Sequence, residues 1–200
     1  MKRPPLYCAA LLAAAIVMAP AAHAQQPSQA DMDAMMKKMQ EAGAPGDAHK
    51  FLNQFVGSWE TTMRMQMGPG APPMESKGVS EVRWILDGRF LEENSTGTAM
   101  GMPHNGRGMT GYDNMRKKYT GFWADNMGTA MFTMEGTLDQ TGKVLTYFGS
   151  MDEPLTGEMG KTVKYVLRIV DPDTHTFEIH DLHIVPGETK VVEITYRRKK

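Results

Sequence analysis

Methionine sulfur is the most abundant group in this sequence that could do chemistry. The 200-residue chain contains 19 methionines. Met63, Met65 and Met67 alternate with other residues, as Met100 and Met102 do. On a β-strand this spacing places the sulfurs on one face, and clustered thioethers are ligands that favour Cu(I). Methionine is also a flexible filler of cores and apolar pockets, so the pattern predicts packing or pocket lining first and copper binding as an alternative.

Histidines offer a second set of possible metal ligands. His180 and His183 would face opposite sides of a strand, whereas His180 and Glu178 would share one side. Two ligands on one face are only the beginning of a metal site, and a hydrogen-bonded surface histidine explains the same residues. We therefore keep His180 as the candidate metal-ligating histidine and predict no resident cofactor.

Carboxylates beside aromatic residues could support acid–base catalysis. Asp113 follows Tyr112, and Asp125 lies two residues after Trp123. Further acids lie in the same region, at Glu92, Glu93 and Glu135. Asp113 also falls where a hairpin turn needs such a side chain. The sequence has no G-x-S-x-G nucleophile motif, phosphate-binding glycine loop or H-E-x-x-H zinc helix, so it favours a binding protein and leaves an enzyme of unknown reaction as an alternative.

The beginning of the chain has the pattern of a secretory leader. Lys2 and Arg3 precede an apolar stretch over residues 7–20, and Ala22-His23-Ala24 is a small-x-small cleavage pattern. We predict a signal peptide over residues 1–24 and a periplasmic or secreted protein. The only cysteine, Cys8, lies in this leader, so the mature chain would contain no disulfide.

Charge and hydropathy exclude two kinds of partner. The net charge is −1, which argues against a nucleic-acid partner held by overall positive charge. The basic residues 197–200 are typical of a solvated chain end. After the leader, no apolar run is long enough to predict a transmembrane helix.

A helical segment is predicted directly after the leader. Ser28 and Asp31 have the spacing of a capping box. Four methionines follow at helical spacing, Met32, Met35, Met36 and Met39. We assign residues 25–46 to a Met-rich helical segment and linker. A shorter helix is expected to begin at Asp47, which would open the main domain at residues 47–200.

After Gly57 the hydrophobic period changes from that of a helix to that of a strand. Trp59, Thr61 and Met63 share one face. Further strands are predicted near residues 77–86, 89–97, 107–112, 118–125, 129–137, 143–150, 161–171, 174–184 and 188–197. Turn residues separate them, as expected for hairpins. About ten antiparallel strands hide their edges best in an up-and-down barrel, with a two-sheet sandwich as the alternative.

Several ordered motifs in the β region are similar to those of one known family. They are Phe55–Glu60, Trp84–Leu91, Gly111–Asn114, Tyr119–Asp125, Glu135–Gly136 and Ile194–Arg197. Together they resemble the bacterial family called domain of unknown function 1579, over about residues 48–200. The resemblance implies a calycin-like β-barrel, and the Met-rich N-terminal helix lies outside the residues that carry it. It implies no activity, because that family has none assigned.

Gly57 and Trp59 also look like the G-x-W signature of lipocalins. In lipocalins a basic residue near the end of the last strand stacks on this tryptophan, and Arg197 or Arg198 would take that role here. Such a cation–π contact would close one end of the barrel. A distantly similar barrel class binds haem through a histidine, and His180 is the candidate for that role. Haem is therefore kept, with copper, as an alternative ligand.

The sequence predicts a secreted, non-enzymatic β-barrel that binds a small apolar molecule in its lumen. The expected lining residues come from several strands, Trp59, Met63, Met65, Trp84, Tyr112 and Trp123. The lumen is expected to be open at the end opposite the basic residue that covers Trp59. Alternation alone leaves open which face of each strand points inward.

Overall fold

The computed structural model describes residues 27–68, 70–153, 156–183 and 189–200. The predicted signal peptide over residues 1–24 lies outside this part of the chain and stays a prediction. The chain divides into two compact units, residues 1–38 and 39–200. Among the described residues, no helix is both long and apolar enough to cross a membrane.

Helix α1 spans Gln29–Gly43 and begins with the expected capping contacts. The backbone N–H of Ser28 donates to Asp31 Oδ2 over 3.1 Å, and the backbone N–H of Asp31 donates to Ser28 Oγ over 3.2 Å. These bonds satisfy backbone donors that the first turn leaves free. The methionines of the predicted stripe are all exposed, Met32, Met35, Met36 and Met39.

Ten strands follow a short second helix, α2, which spans Asp47–Leu52. They are β1 (Gly57–Met65), β2 (Met74–Ile85), β3 (Phe90–Ala99), β4 (Met102–Asp113), β5 (Lys118–Asp125), β6 (Phe132–Leu138), β7 (Val144–Glu153), β8 (Glu158–Asp171), β9 (Thr174–Asp181) and β10 (Lys190–Arg198). Each strand pairs with its sequence neighbour, and β10 returns to pair antiparallel with β1. The predicted ten-stranded up-and-down barrel is confirmed.

The β3–β4 connection is shorter than the sequence suggested. Strand β4 begins at Met102, five residues before its predicted start, because Met100 and Gly101 alone make the turn. Both have positive φ, 51° and 76°. A positive φ is uncommon for methionine, so the composition gave no sign of a tight turn there.

The strand register separates an inward face from an outward face. Trp59 lies opposite Ser80 on one neighbour and Arg198 on the other, and both Trp59 and Ser80 are almost fully buried. Alternate residues continue these inward rows around the barrel. The buried inward side chains form one core, which includes Leu91, Tyr119, Leu145, Tyr147, Val163 and Tyr165.

One end of the barrel is closed by α2 and the 3-10 turn Asn53–Phe55 that follows it. Leu52 and Phe55 are buried among the inward side chains of the strands. The hydroxyl of Tyr119 donates to the carbonyl of Ala48 over 3.0 Å, which ties α2 to β5. We call this the closed end. The opposite end carries the β1–β2, β3–β4 and β5–β6 connections.

Candidate functional site

The closed end is fastened by Arg198 rather than by Arg197. The guanidinium of Arg198 lies 4.1 Å from the centroid of the Trp59 ring. It also donates to the carbonyls of Val56 and Gln54 over 2.8 and 2.7 Å. The backbone before β1 is thus held by a cation–π contact and two charge-assisted hydrogen bonds. Arg197, the other predicted candidate, is exposed.

His175 completes the packing around Trp59. Its ring stacks on Tyr196 with centroids 4.4 Å apart and meets Trp59 edge to face at the same distance. Phe55 contacts it from the capping turn at 5.1 Å. Burial, with a smaller repulsion from Arg198, lowers the pKa of His175 from 6.5 to about 3. The imidazole is therefore a neutral part of the closed-end core at physiological pH.

Several inward apolar side chains in the half of the interior away from α2 keep exposed surface. Met63, Met65, Ile179 and Ile194 occupy inward positions of β1, β9 and β10, yet each is only half-buried. Trp123 on β5 is also inward-facing and half-buried. In a closed barrel, exposed surface on inward side chains faces the lumen or its open end. We call the space beside these five side chains the open half of the lumen.

Trp123 is held in a fixed orientation on the inner wall. Its Nε1 donates to Asp125 Oδ2 over 2.9 Å, and His104 Nε2 lies 3.5 Å from the same oxygen. A Cβ at Gly106 would collide with the indole, and one at Gly108 would lie 3.0 Å from its Cε3. The two glycines therefore make room for the ring to lie across β4. This arrangement can present a flat apolar surface to a ligand.

Glu93 places a carboxyl group inside the barrel. It lies in register with Val82 and Gly108, on the inward face of β3. Its Oε1 accepts hydrogen bonds from Ser80 Oγ at 2.7 Å and from the Tyr196 hydroxyl at 3.3 Å. Burial raises the pKa of Glu93 above its ordinary value of 4.5, and the two hydrogen bonds only partly oppose this.

A buried ion pair joins β8 and β9 towards the open end. Lys161 Nζ lies 2.5 Å from Asp181 Oδ2, and the two side chains are 5% and 10% exposed. Burial raises the pKa of Asp181, but the hydrogen bond from Lys161 and the attraction of its charge outweigh this and leave the pKa lowered. The carboxylate of Asp181 is thus ionised and already paired with a cation.

Of the remaining predicted lining residues, two lie beneath the cap. Trp84 Nε1 donates to Asn53 Oδ1 over 2.8 Å, so its ring is tied to the capping turn. Tyr112 contacts His49 of α2 edge to face at 5.9 Å and Tyr119 at 4.9 Å. With Trp59, they belong to the closed end. Met63, Met65 and Trp123 are the predicted lining residues that the structure places in the open half.

His180 is not brought together with the predicted methionine ligands. His180 lies on the outer face of β9, with Nδ1 3.1 Å from Thr189 Oγ1 and Nε2 3.3 Å from Glu178 Oε2. A ligand in the lumen would therefore not contact His180. Met67 follows the end of β1 and is 49% exposed. In the part of the chain that the structure describes, no three His, Cys, Asp or Glu residues form a group able to hold a metal ion.

A second concave surface lies on the outside of the barrel. A groove of about 550 Å³ is lined by the outward-facing residues Phe90, Met109, Phe122 and Phe148, and by Met131. Phe148 is 50% exposed and Met131 is 63% exposed. The barrel wall separates this groove from the lumen. It is a competing apolar binding surface that any binding experiment must distinguish from the lumen.

Comparison with known proteins identifies the family. A profile for the protein of unknown function DUF1579 matches residues 44–198, which is most of the chain. The chain belongs to the DUF1579 family. This confirms the family predicted from the ordered motifs of the β region. Among the curated proteins, no match to the chain was found.

Solved structures of the same architecture also resemble this DUF1579 chain. The crystal structure of Rv2717c from M. tuberculosis has a TM-score of 0.56 and 19% identity, and the match covers 78% of this chain and all, 100%, of that one. That likeness shows the barrel fold. A redesigned β-barrel gives a TM-score of 0.39 at 17% identity, covering 76% and 96% of the two chains. A de novo designed fluorescence-activating barrel gives 0.42 at 16%, covering 78% and 100%.

Sequence reasoning did not assign roles to several residues that shape the interior. Glu93 was one of five candidate acids, Ser80 and His175 carried no motif, and Tyr196 was noted only as part of the family motif Ile194–Arg197. For Glu93 a signal existed, because it shares a strand face with the apolar Leu91. The contact from Tyr196 to Glu93 joins residues far apart in sequence, and no local pattern predicts it.

Proposed function

We propose that this DUF1579 barrel binds a small, mainly apolar molecule in the open half of its lumen. The observation that carries the proposal is the exposed surface that inward apolar side chains keep in the open half. At the closed end, Leu52 and Trp59 are each only 1% exposed. Met63, Met65 and Ile179 also point inward but keep exposed surface. Apolar surface left in contact with water inside a protein is what an apolar ligand would cover.

The chemistry of the open half suits such a ligand. Thioether and branched aliphatic side chains from β1, β9 and β10 adapt to an apolar body, since methionine is unbranched and flexible. Trp123 offers a rigid ring on the opposite part of the wall, fixed by Asp125. Affinity would come from burial, and orientation from the polar groups.

Native mass spectrometry of the protein purified from the organism that makes it tests the proposal. We expect an added mass that extraction into organic solvent removes. In an Ile179→Trp variant, which fills the open half, the added mass should be absent. Retention of the same mass by this variant would place the ligand elsewhere, and a bare chain under gentle conditions would count against a tightly bound cargo.

A second candidate function is Cu(I) binding at the open end, favoured by one observation. Met65 and Met74 lie directly opposite each other on β1 and β2, and Met63 follows on the same inward face. Cross-strand neighbours are close enough for two thioethers to share a soft metal ion. Cu(I) should then raise the melting temperature, and Met65→Leu with Met74→Leu should abolish the rise. Met115→Leu, at an 86% exposed position, is the matched control.

A further inference from the structure

Glu93 is an unusual group for the inside of an apolar barrel. Its carboxyl lies on the inward face of β3, and only Oε1 is engaged, by Ser80 and Tyr196. Among the described residues, Oε2 accepts no hydrogen bond and no lysine, arginine or histidine forms an ion pair with Glu93. Glu93 is half-buried, and holding a carboxylate without a cation in a partly desolvated site costs the fold free energy.

Other acids of this chain, unlike Glu93, lie against a cationic side chain. Glu92, the preceding residue, faces outward and lies 2.7 Å from Arg83 Nη2. Asp181, also inward-facing, lies against Lys161. Within the described ranges, a cation thus lies against a neighbouring outward acid and against another inward acid, but none lies against Glu93.

The residues around Glu93 belong to both the closed end and the open half of the lumen. Tyr196, which donates to Oε1, stacks on His175 of the closed end. Gly108, the residue in register with Glu93 on β4, lies under the indole of Trp123. The carboxyl is thus held at the boundary of the open half, with an aromatic ring beside its strand. A carboxylate with aromatic surface nearby is a favourable setting for a substituted ammonium group.

We propose that Glu93 is the counter-ion for a cationic amine, so that the ligand class of the lumen is a lipophilic amine. The ammonium group would donate to Oε2, while Ser80 and Tyr196 hold Oε1 and fix the orientation of the carboxylate. The apolar body of the amine would extend towards Met63, Met65 and Ile179. This inference rests on the proposed function, because it assumes that ligands enter the lumen.

Calorimetric binding of decylamine and of decanol tests the inference, because the two probes differ chiefly in charge. At about pH 8, where the amine is protonated, we expect decylamine to bind at least about tenfold more tightly than decanol. Glu93→Gln should remove this preference while decanol still binds, which also shows that the variant is folded. Glu92→Gln removes the same charge from the outer face and should retain the preference.

The outcomes separate the two proposals. Equal affinities of the natural protein for both probes, or a preference that survives Glu93→Gln, would overturn the role of Glu93 while lumen binding stands. A preference lost equally in Glu92→Gln would show a general charge effect and would also overturn it. If neither probe binds the natural protein, the proposed function fails, and the assignment of Glu93 fails with it.

Discussion

Lowering the pH should weaken the closed end through His175. In the folded protein burial holds the pKa of His175 at about 3, against 6.5 when unperturbed. As the pH falls below 6.5 the unfolded chain takes up a proton that the folded chain does not, so stability is lost. Between about pH 7.5 and about pH 4.5 this linkage removes roughly 3 kcal/mol from the free energy of unfolding. The loss would be complete only below the folded pKa.

His175→Phe isolates this effect, since phenylalanine keeps a ring between Tyr196 and Trp59 but does not titrate. Urea denaturation of both proteins at the two pH values gives four free energies of unfolding. Other titrating groups are common to both chains and cancel in the difference. We expect the natural protein to lose about 3 kcal/mol more than the variant. Equal losses, within about 0.5 kcal/mol, would refute a buried neutral histidine at this position.

Three further substitutions test other contacts by denaturation. Arg198→Ala should lower the free energy of unfolding by about 3 kcal/mol, because it removes a cation–π contact and two charged hydrogen bonds, while the exposed Arg197→Ala should change it by less than about 0.5 kcal/mol. Gly106→Ala should cost about 1–3 kcal/mol and shift the emission of Trp123, whose ring its Cβ would displace. Lys161→Met should lower the free energy of unfolding by about 3–5 kcal/mol, because it leaves the Asp181 carboxylate buried and unpaired. An unchanged stability in any of the three would contradict the corresponding contact.

The barrel could be predicted because its signals are local. Alternation defined the strands, and Asp-Gly and Asp-Asn pairs marked several of the hairpins. The structure explains why glycine stands at the first position of the G-x-W pair. Gly57 has φ of 129°, and a Cβ there would lie 2.8 Å from Arg198 Nη1, so glycine both permits the backbone conformation and leaves room for the arginine that covers Trp59.

The depth of a residue along the barrel could not be predicted in the same way. Alternation shows that Trp84 and Tyr112 can point inward, but it does not show that α2 covers them. That depends on the stagger of the strands and on the path of the chain before β1. The outward position of His180 could have been predicted from the sequence. Phe177 and Ile179 define the apolar face of β9, and His180 lies on the opposite face.

Binding of a neutral apolar fluorophore, such as N-phenylnaphthylamine, tests the central claim most directly. Two variants separate the candidate surfaces: Ile179→Trp fills the open half of the lumen, and Phe148→Ser removes an exposed ring from the outer groove. We expect the natural protein and Phe148→Ser to bind the probe at a single saturable site, whereas Ile179→Trp, still folded, should not bind it. Binding that survives Ile179→Trp and is lost in Phe148→Ser would place the site on the outside of the barrel and contradict the account.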